Sequence, residues 1–282
     1  LHGIYYLRSI GDIKKLAQEF VAGRRVIIVG GGYIGLEAAA VSAKLGLRVT
    51  LIESAPRILQ RVASAHTASF FRDLHRSHGV EILEGIGLAH LAGREGRVTD
   101  AVLTDGRNLP ADFVVVGIGI HPNAELAEMV GLDIESGIKV DAQCRTSDPA
   151  ILAAGDCASF PRRGRRIRLE SVGNAVEQGE AVAKTIVGQP HEYHAEPWFW
   201  SDQFDCKLQI AGLSDNYDCA VTRQVSESSL SVWYYRRDEL LAVDAINQPG
   251  AYMVGKRLIA QGKSPDQVKV GDAGFELKSL LA

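Results

Sequence analysis

Three glycines, Gly30, Gly32 and Gly35, stand in the spacing G-x-G-x-x-G, directly after the apolar run 25–29 and at the head of an Ala-rich stretch, 36–45, that stops at Gly46. The chemistry of such a turn is phosphate binding. Gly30 permits a tight turn, Gly32 lets the main chain approach a pyrophosphate, and Gly35 permits close packing of helix on strand. The helix start adds unpaired N–H groups and the positive end of a dipole. Glu53 ends the next apolar run, 48–52, about 20 residues on, where a carboxylate accepts hydrogen bonds from adenosine ribose hydroxyls and repels a 2′-phosphate. Ser54, Ala55 and Pro56 bring no arginine to reverse that choice, so NADH is expected over NADPH. Arg57 would touch the adenine or the pyrophosphate, or stand as a solvated charge.

A second carboxylate, Asp156, closes the run 146–156 just after Gly155. At the carboxyl end of a short strand, 151–154, it sits where ligands bind in open α/β sheets, although any capping aspartate would look the same. Arg162, Arg163, Arg165, Arg166 and Arg168 cluster in what reads as a loop, 161–166, and offer either an electrostatic dock for an acidic partner or an ordinary solvated loop. His75 and His78 stand three apart, as do His191 and His194, with no cysteine or acidic ligands close by, so they read as surface histidines and no metal site is expected. Cys144, Cys157, Cys206 and Cys219 form no CxxC pair and fit a reducing, cytoplasmic setting. No Ser-His-Asp or paired-carboxylate arrangement stands out.

The elements that must hold these groups follow from hydrophobic period. Strand 25–29, helix 36–45 and strand 48–52 make a β-α-β unit of a parallel sheet. A short helix is expected over 11–21, with Ile13, Leu16, Ala17 and Phe20 inward. A second amphipathic helix follows over 63–78, with Phe70, Phe71 and Leu74 inward, then strands at 80–83, 98–103 and 113–116. Further on come short strands at 137–140 and 151–154 and a helix over 171–187, closed by Gly188 and Pro190. Three alternating strands at 207–211, 230–236 and 240–245 precede a final helix over 252–261. The 282 residues carry 31 basic and 34 acidic side chains, a net charge of −3, which gives no drive for non-specific nucleic-acid binding. No apolar run reaches the roughly 18–20 residues of a membrane span.

Gly30–Glu37 (GGGYIGLE), 117–123 (GIGIHPN), 146–156 and 197–203 (PWFWSDQ) resemble, in that order, the FAD-dependent ferredoxin reductases of the putidaredoxin-reductase and rubredoxin-reductase type, within the glutathione-reductase-like flavoproteins. The resemblance implies an α/β architecture in which a Rossmann-type NAD-binding domain is inserted in a split FAD-binding domain, followed by a C-terminal α+β domain. The boundaries expected are 1–23 for a residual FAD-domain segment and linker helix, 24–119 for the NAD-binding domain, 120–195 for the second half of the FAD domain, and 196–282 for the C-terminal domain. The front of the FAD domain, with its own G-x-G-x-x-G, is expected to precede Leu1.

By the same resemblance, Gly30, Gly32, Tyr33, Ile34, Gly35, Glu53 and Arg57 bind NAD, and Gly117, Ile118 and Gly119 pass beneath its nicotinamide half. Glu37 lies near the nicotinamide, where a plain reading is an acid complementing a helix dipole. Arg8 touches FAD, Asp156 bonds its ribityl chain, and the Val172 main chain meets the pyrimidine edge of the isoalloxazine, beside a helix dipole that suits the negative charge of reduced flavin; simple helix-entry packing is the alternative for Val172. Trp198 and Trp200 lie beside the flavin on the partner's side, with core packing as the alternative, and Trp200 joins Glu37 as a candidate catalytic residue. Where relatives carry a basic residue in the following helix this chain has Glu177 and Glu180.

The implied reaction is hydride transfer from NADH to FAD and single-electron release to a [2Fe–2S] ferredoxin or a rubredoxin, docking near Arg162, Arg163, Arg165 and Arg166. The alternatives are an NADH oxidase or other flavin-dependent reductase, and a non-catalytic NAD-binding redox-sensing module. No His-Pro-x-x-x-Glu of the disulfide reductases occurs near the C-terminus.

Overall fold

The computed structural model describes residues 1–189 and 191–281; Pro190, expected to help close the helix over 171–187, lies outside the described residues. Eight strands build the first region: β1 (Ile4–Tyr6), β2 (Arg25–Val29), β3 (Arg48–Glu53), β4 (Glu81–Glu84), β5 (Leu88–Arg94), β6 (Arg97–Leu103), β7 (Asn108–Pro110) and β8 (Phe113–Val116). Five of them form a parallel sheet in the order β1-β8-β2-β3-β4. β8, and β2 after Arg25, are apolar because both their faces are covered. Val26, Ile28, Phe113 and Val115 face helices α2 (Tyr33–Lys44) and α3 (Ala65–Ser77). Ile27, Val29 and Val114 face the antiparallel sheet β5-β6-β7. β5 escapes the sequence reading because most of its side chains are exposed or half-exposed and leave no apolar alternation.

β1 hydrogen-bonds to β8, so residues 4–6 form the edge strand of the parallel sheet. One expectation for residues 1–23 is corrected. The helix α1 (Ile10–Leu16) is shorter than the pattern suggested; a Ser9–Asp12 capping box starts it, Leu16 is its buried residue, and Ile13 is exposed.

The middle region holds α4 (Glu125–Met129), β9 (Ile138–Lys139), β10 (Ala158–Arg162), β11 (Arg165–Ile167) and α5 (Val172–Ile186), with a three-stranded sheet in the order β11-β10-β9. Residues 151–154 are not a strand: Leu152 makes one bridge to Arg145, and the chain then turns through Gly155 at φ +79°. The arginine-rich stretch is not an open loop. It is a hairpin, because Arg163 and Gly164 both take positive φ, as a tight two-residue turn between twisted strands requires.

The last region is an antiparallel sheet, β12 (Trp198–Gln203), β13 (Cys206–Gly212), β14 (Cys219–Ser226), β15 (Ser229–Arg236) and β16 (Glu239–Ile246), in the order β12-β13-β16-β15-β14. α6 (Pro249–Ala260) and α7 (Gln267–Gly271) follow. The central strands of the sheet are buried on both faces. Trp233, Tyr235 and Val243 pack with α6, while Leu208, Val232, Tyr234 and Ile246 merge with the core of α2 and α3. This second contact is the seam on which the site is built. Among the described residues no helix is long and apolar enough to cross a membrane, no side-chain group suits a metal ion, and all four cysteines are free.

Candidate nucleotide and electron-transfer site

The glycine turn is built by steric necessity. Gly30 takes φ +107°, and a Cβ there would collide with the Gly117 carbonyl; a Cβ at Gly35 would collide with the Gly30 carbonyl. At Gly32 a Cβ would meet nothing within 4 Å, so the main chain is open on the side where a pyrophosphate would lie. Glu53 Oε2 accepts from the Gly31 N–H at 2.7 Å and Oε1 from the Ala55 N–H at 2.7 Å, so the acid is held at the turn by the chain itself. Gly117 N donates to Val29 O at 2.8 Å, and Ile118 and Ile34 are exposed. These residues fit a dinucleotide: N–H donors at a helix start, a gap at Gly32 and a carboxylate at the next strand end.

Two side chains expected here do other work. Arg57 donates to the carbonyls of Ile58, Leu59, Gln60, Ala63 and Ser64, organising the loop ahead of α3. Tyr33 turns its ring into the seam against Phe199, 4.9 Å between centroids, and its hydroxyl is buried without a hydrogen-bond partner among the described residues. Only its main chain faces the turn. Arg61, which the sequence reading passed over, is the side chain nearest Gly119. It is exposed and could not be told from any solvated arginine in the sequence.

The second wall is assembled at the start of α5. Ser171 caps the helix by accepting from Asn174 N, and Val172 is 58% exposed in its open first turn. Gly155 packs on Ala175 and donates its N–H to Gln178 Oε1 at 2.7 Å, which brings Asp156 beside that turn. The Asp156 carboxylate is half-exposed and has no hydrogen-bond partner among the described residues. An acceptor beside unpaired helix N–H groups suits a polyhydroxyl chain attached to a ring that gains negative charge. Gly173 has no room for a Cβ because the Trp198 indole lies on it. Trp198 and Trp200 stack at 5.7 Å, and Trp200 is 39% exposed. Arg8 is exposed ahead of α1, with its main-chain N–H on Asp12; no contact joins it to Asp156 or Val172 among the described residues.

The two walls meet along β12, because strand alternation gives it two working faces. Trp198 and Trp200 point one way. Phe199, Ser201 and Gln203 point the other, into α2 and α3. Ser201 donates to Glu37 Oε1 at 2.6 Å. Burial raises the Glu37 carboxyl above its ordinary range and the Asp202 charge adds to this, while the Ser201 hydroxyl opposes it. His75 is the clearest correction at the seam: expected on the surface, it is fully buried and shares a 2.9 Å hydrogen bond with Gln203. Burial lowers its pKa to about 4.

Residues 1–179 match the family model described as pyridine nucleotide-disulphide oxidoreductase, and residues 198–281 match the one described as reductase C-terminal. The chain belongs to the pyridine nucleotide-disulphide oxidoreductase family. Within it, the chain is 38% identical to putidaredoxin reductase of Pseudomonas putida, over 98% of this chain and 67% of that protein. It is 43% identical to a ferredoxin–NAD(P)+ reductase of a Sphingomonas species, over 100% of this chain and 69% of that one. It therefore spans about two thirds of these relatives. The ferredoxin reductase for the CYP199A2 system of Rhodopseudomonas palustris superposes with a TM-score of 0.97 at 39% identity, over 100% of this chain and 70% of that one. The reductase in a covalent putidaredoxin reductase–putidaredoxin complex superposes at 0.95 and 38% identity, over 99% and 68%. The family resemblance and the Rossmann-type α/β fold with a C-terminal sheet domain expected from the sequence are both borne out, as is dependence on FAD and NAD(H).

Proposed function

We infer that this protein is an NADH-dependent flavoprotein reductase that passes electrons from NADH through FAD to a [2Fe–2S] ferredoxin, or a rubredoxin, serving an oxygenase or P450. One observation carries the reading: the glycine turn, Glu37, β12 and the open start of α5 form an unbroken path of contacts. A nucleotide held on the turn thereby faces the wall that suits a flavin. FAD, when bound, takes a hydride and releases electrons one at a time. The chain's own part is positional. Gly30, Gly32 and Gly35 and the start of α2 seat the pyrophosphate, Ile34 and Ile118 flank it, and Gly117 and Gly119 keep the floor low. Glu53 bonds the adenosine ribose and disfavours a 2′-phosphate. Asp156 and the first turn of α5 at Val172 hold the flavin side, with Trp200 covering it. Arg8 stands exposed ahead of α1, and Arg57 braces the loop ahead of α3 beside the turn.

The acceptor's dock is better supplied by the tryptophan face than by the hairpin. Arg163 pairs with Glu239, Arg165 with Asp215 and Arg166 with Glu135, while Arg162 is half-buried and donates to the Ala195 carbonyl, so little free charge remains there. Lys256 stands over the Trp198 ring at 5.3 Å, a cation next to the exposed indole of Trp200. A ferredoxin seated there would bring its cluster against the stacked tryptophans on the flavin side. The free thiols support a reducing, cytoplasmic setting.

The test is steady-state reduction of a [2Fe–2S] ferredoxin by the FAD-loaded protein, followed by the visible absorbance of the iron–sulfur cluster. NADH supports turnover and NADPH at equal concentration supports under roughly a tenth of it, the discrimination expected of a ribose-binding carboxylate. Rapid oxygen consumption without ferredoxin reduction would overturn this reading in favour of an NADH oxidase. Tight NADH binding with neither would leave a redox-sensing module.

A further inference from the structure

β12 does more than carry tryptophans. On its inner face Ser201 and Gln203, both fully buried, continue the Glu37 contact into a chain of three hydrogen bonds. Ser201 Oγ to Glu37 Oε1 is 2.6 Å, Gln203 Nε2 to Ser201 Oγ is 3.0 Å, and His75 Nε2 to Gln203 Oε1 is 2.9 Å. The donors and acceptors order themselves from one end. An ionised Glu37 only accepts, so Ser201 donates to it and its oxygen accepts from the Gln203 amide. The Gln203 carbonyl must then accept, which places the proton of His75 on Nε2. Consistent with that tautomer, His75 Nδ1 is buried and has no partner among the described residues. The far end is held by packing: Phe204 meets the His75 ring edge-on at 5.0 Å, and His78 stacks on Phe204 at 3.8 Å.

We propose that Ser201 and Gln203 are positioning residues that hold the Glu37 carboxylate beside the glycine turn, with His75 as the anchored end of the relay. A group on α2, one turn past the phosphate-binding loop, is thereby aimed by a strand of the C-terminal domain. The inference rests on the reading that Glu37 borders the nicotinamide side of the bound nucleotide. An ionised carboxylate there attracts the cationic ring of NAD+, and a carboxylate free to rotate attracts it less. Among the described residues, the titratable groups facing this relay are Asp202 beside Glu37 and His78 beside His75, and no cation pairs with any member.

The experiment measures NAD+ binding to the whole chain by titration calorimetry across pH, for wild type, Glu37→Gln, Ser201→Ala and Gln203→Met. In wild type the affinity rises with pH as Glu37 ionises, above the ordinary carboxylate range, and Glu37→Gln abolishes the rise. Ser201→Ala weakens binding about three- to tenfold at neutral pH and moves the inflection upward, because the ionised form loses one of its donors, the Asp202 main chain being the other. Gln203→Met shows the same changes, smaller. Independently of any variant, nitrogen-15 NMR of the wild-type histidines finds His75 protonated on Nε2. Unchanged affinity and inflection in a folded Ser201→Ala, or an Nδ1-protonated His75, would overturn the relay while leaving Glu37 at the site. No effect of Glu37→Gln would overturn the placement of Glu37 itself, and the relay's role with it.

Discussion

The glycine turn and the seam under β12 lie side by side and are made in opposite ways. The turn is a backbone object: three residues without side chains, a neighbouring carbonyl and a carboxylate fixed by two N–H groups. The seam is a side-chain object, joining Glu37 to Ser201, His75 to Gln203 and Thr67 to Asp244 across more than a hundred residues of sequence in each case. A backbone site announces itself in residue type and spacing. A side-chain site becomes visible only when two distant segments are brought together.

The strongest way to break this contrast is to add one methyl group at two places. Gly35→Ala drives a Cβ into the Gly30 carbonyl and is expected to cost about 3 kcal/mol of stability in urea unfolding. Gly32→Ala adds the same group to open space. It is expected to stay within about 1 kcal/mol of wild type and yet bind NADH at least roughly tenfold more weakly, since the methyl occupies the phosphate's place. Equal destabilisation by both would show that the turn is not built as described.

The seam offers a finer test, because two of its buried groups pull stability in opposite directions with pH. Burial holds His75 at about 4, below its ordinary 6.5, so its contribution is full above pH 6.5 and is lost as pH falls toward 4. Burial raises Asp244 to about 6 from 3.8, despite donation from Tyr234 and Thr67, so its contribution is full below 3.8 and lost as pH rises through 6. Each is on the order of 3 kcal/mol, and in the wild type they offset one another. Asp244→Asn should therefore gain stability as pH rises from 4 to 6.5, and His75→Gln should lose it over the same window, as read by chemical denaturation. Parallel slopes in the two variants would sink this account.

The smallest effect belongs to the hairpin. Arg163→Gln and Arg165→Gln should change the KM for ferredoxin by less than about twofold at moderate salt, because exposed paired charges add little. Lys256→Gln should change it more. A reversed order would return the dock to the arginines.

Much of the nucleotide region was legible because its signals are local. β2, α2 and the glycines are read from periodicity and spacing, and Glu53 from its distance to them. What was missed has physical reasons. Arg57 looks like a cofactor ligand until five carbonyls surround it. His75 looks like a surface residue because its helix carries charges on both sides, and its burial comes from Phe204 and Gln203, far along the chain. Ser201 and Gln203 carry no signal except alternation with the tryptophans. The strand expected at 151–154 failed because the chain needs a turn at Gly155, not a sheet partner.

The central strands of the C-terminal sheet, β13, β15 and β16, are covered on both faces. Trp233 and Tyr235 lie under α6, and Leu208, Val232 and Ile246 under α2 and α3. An exchange of modules cut near residue 196 would leave half a hydrophobic interior on each piece. A chimera that borrows this domain to change its redox partner must therefore bring the matching surface of the two helices with it.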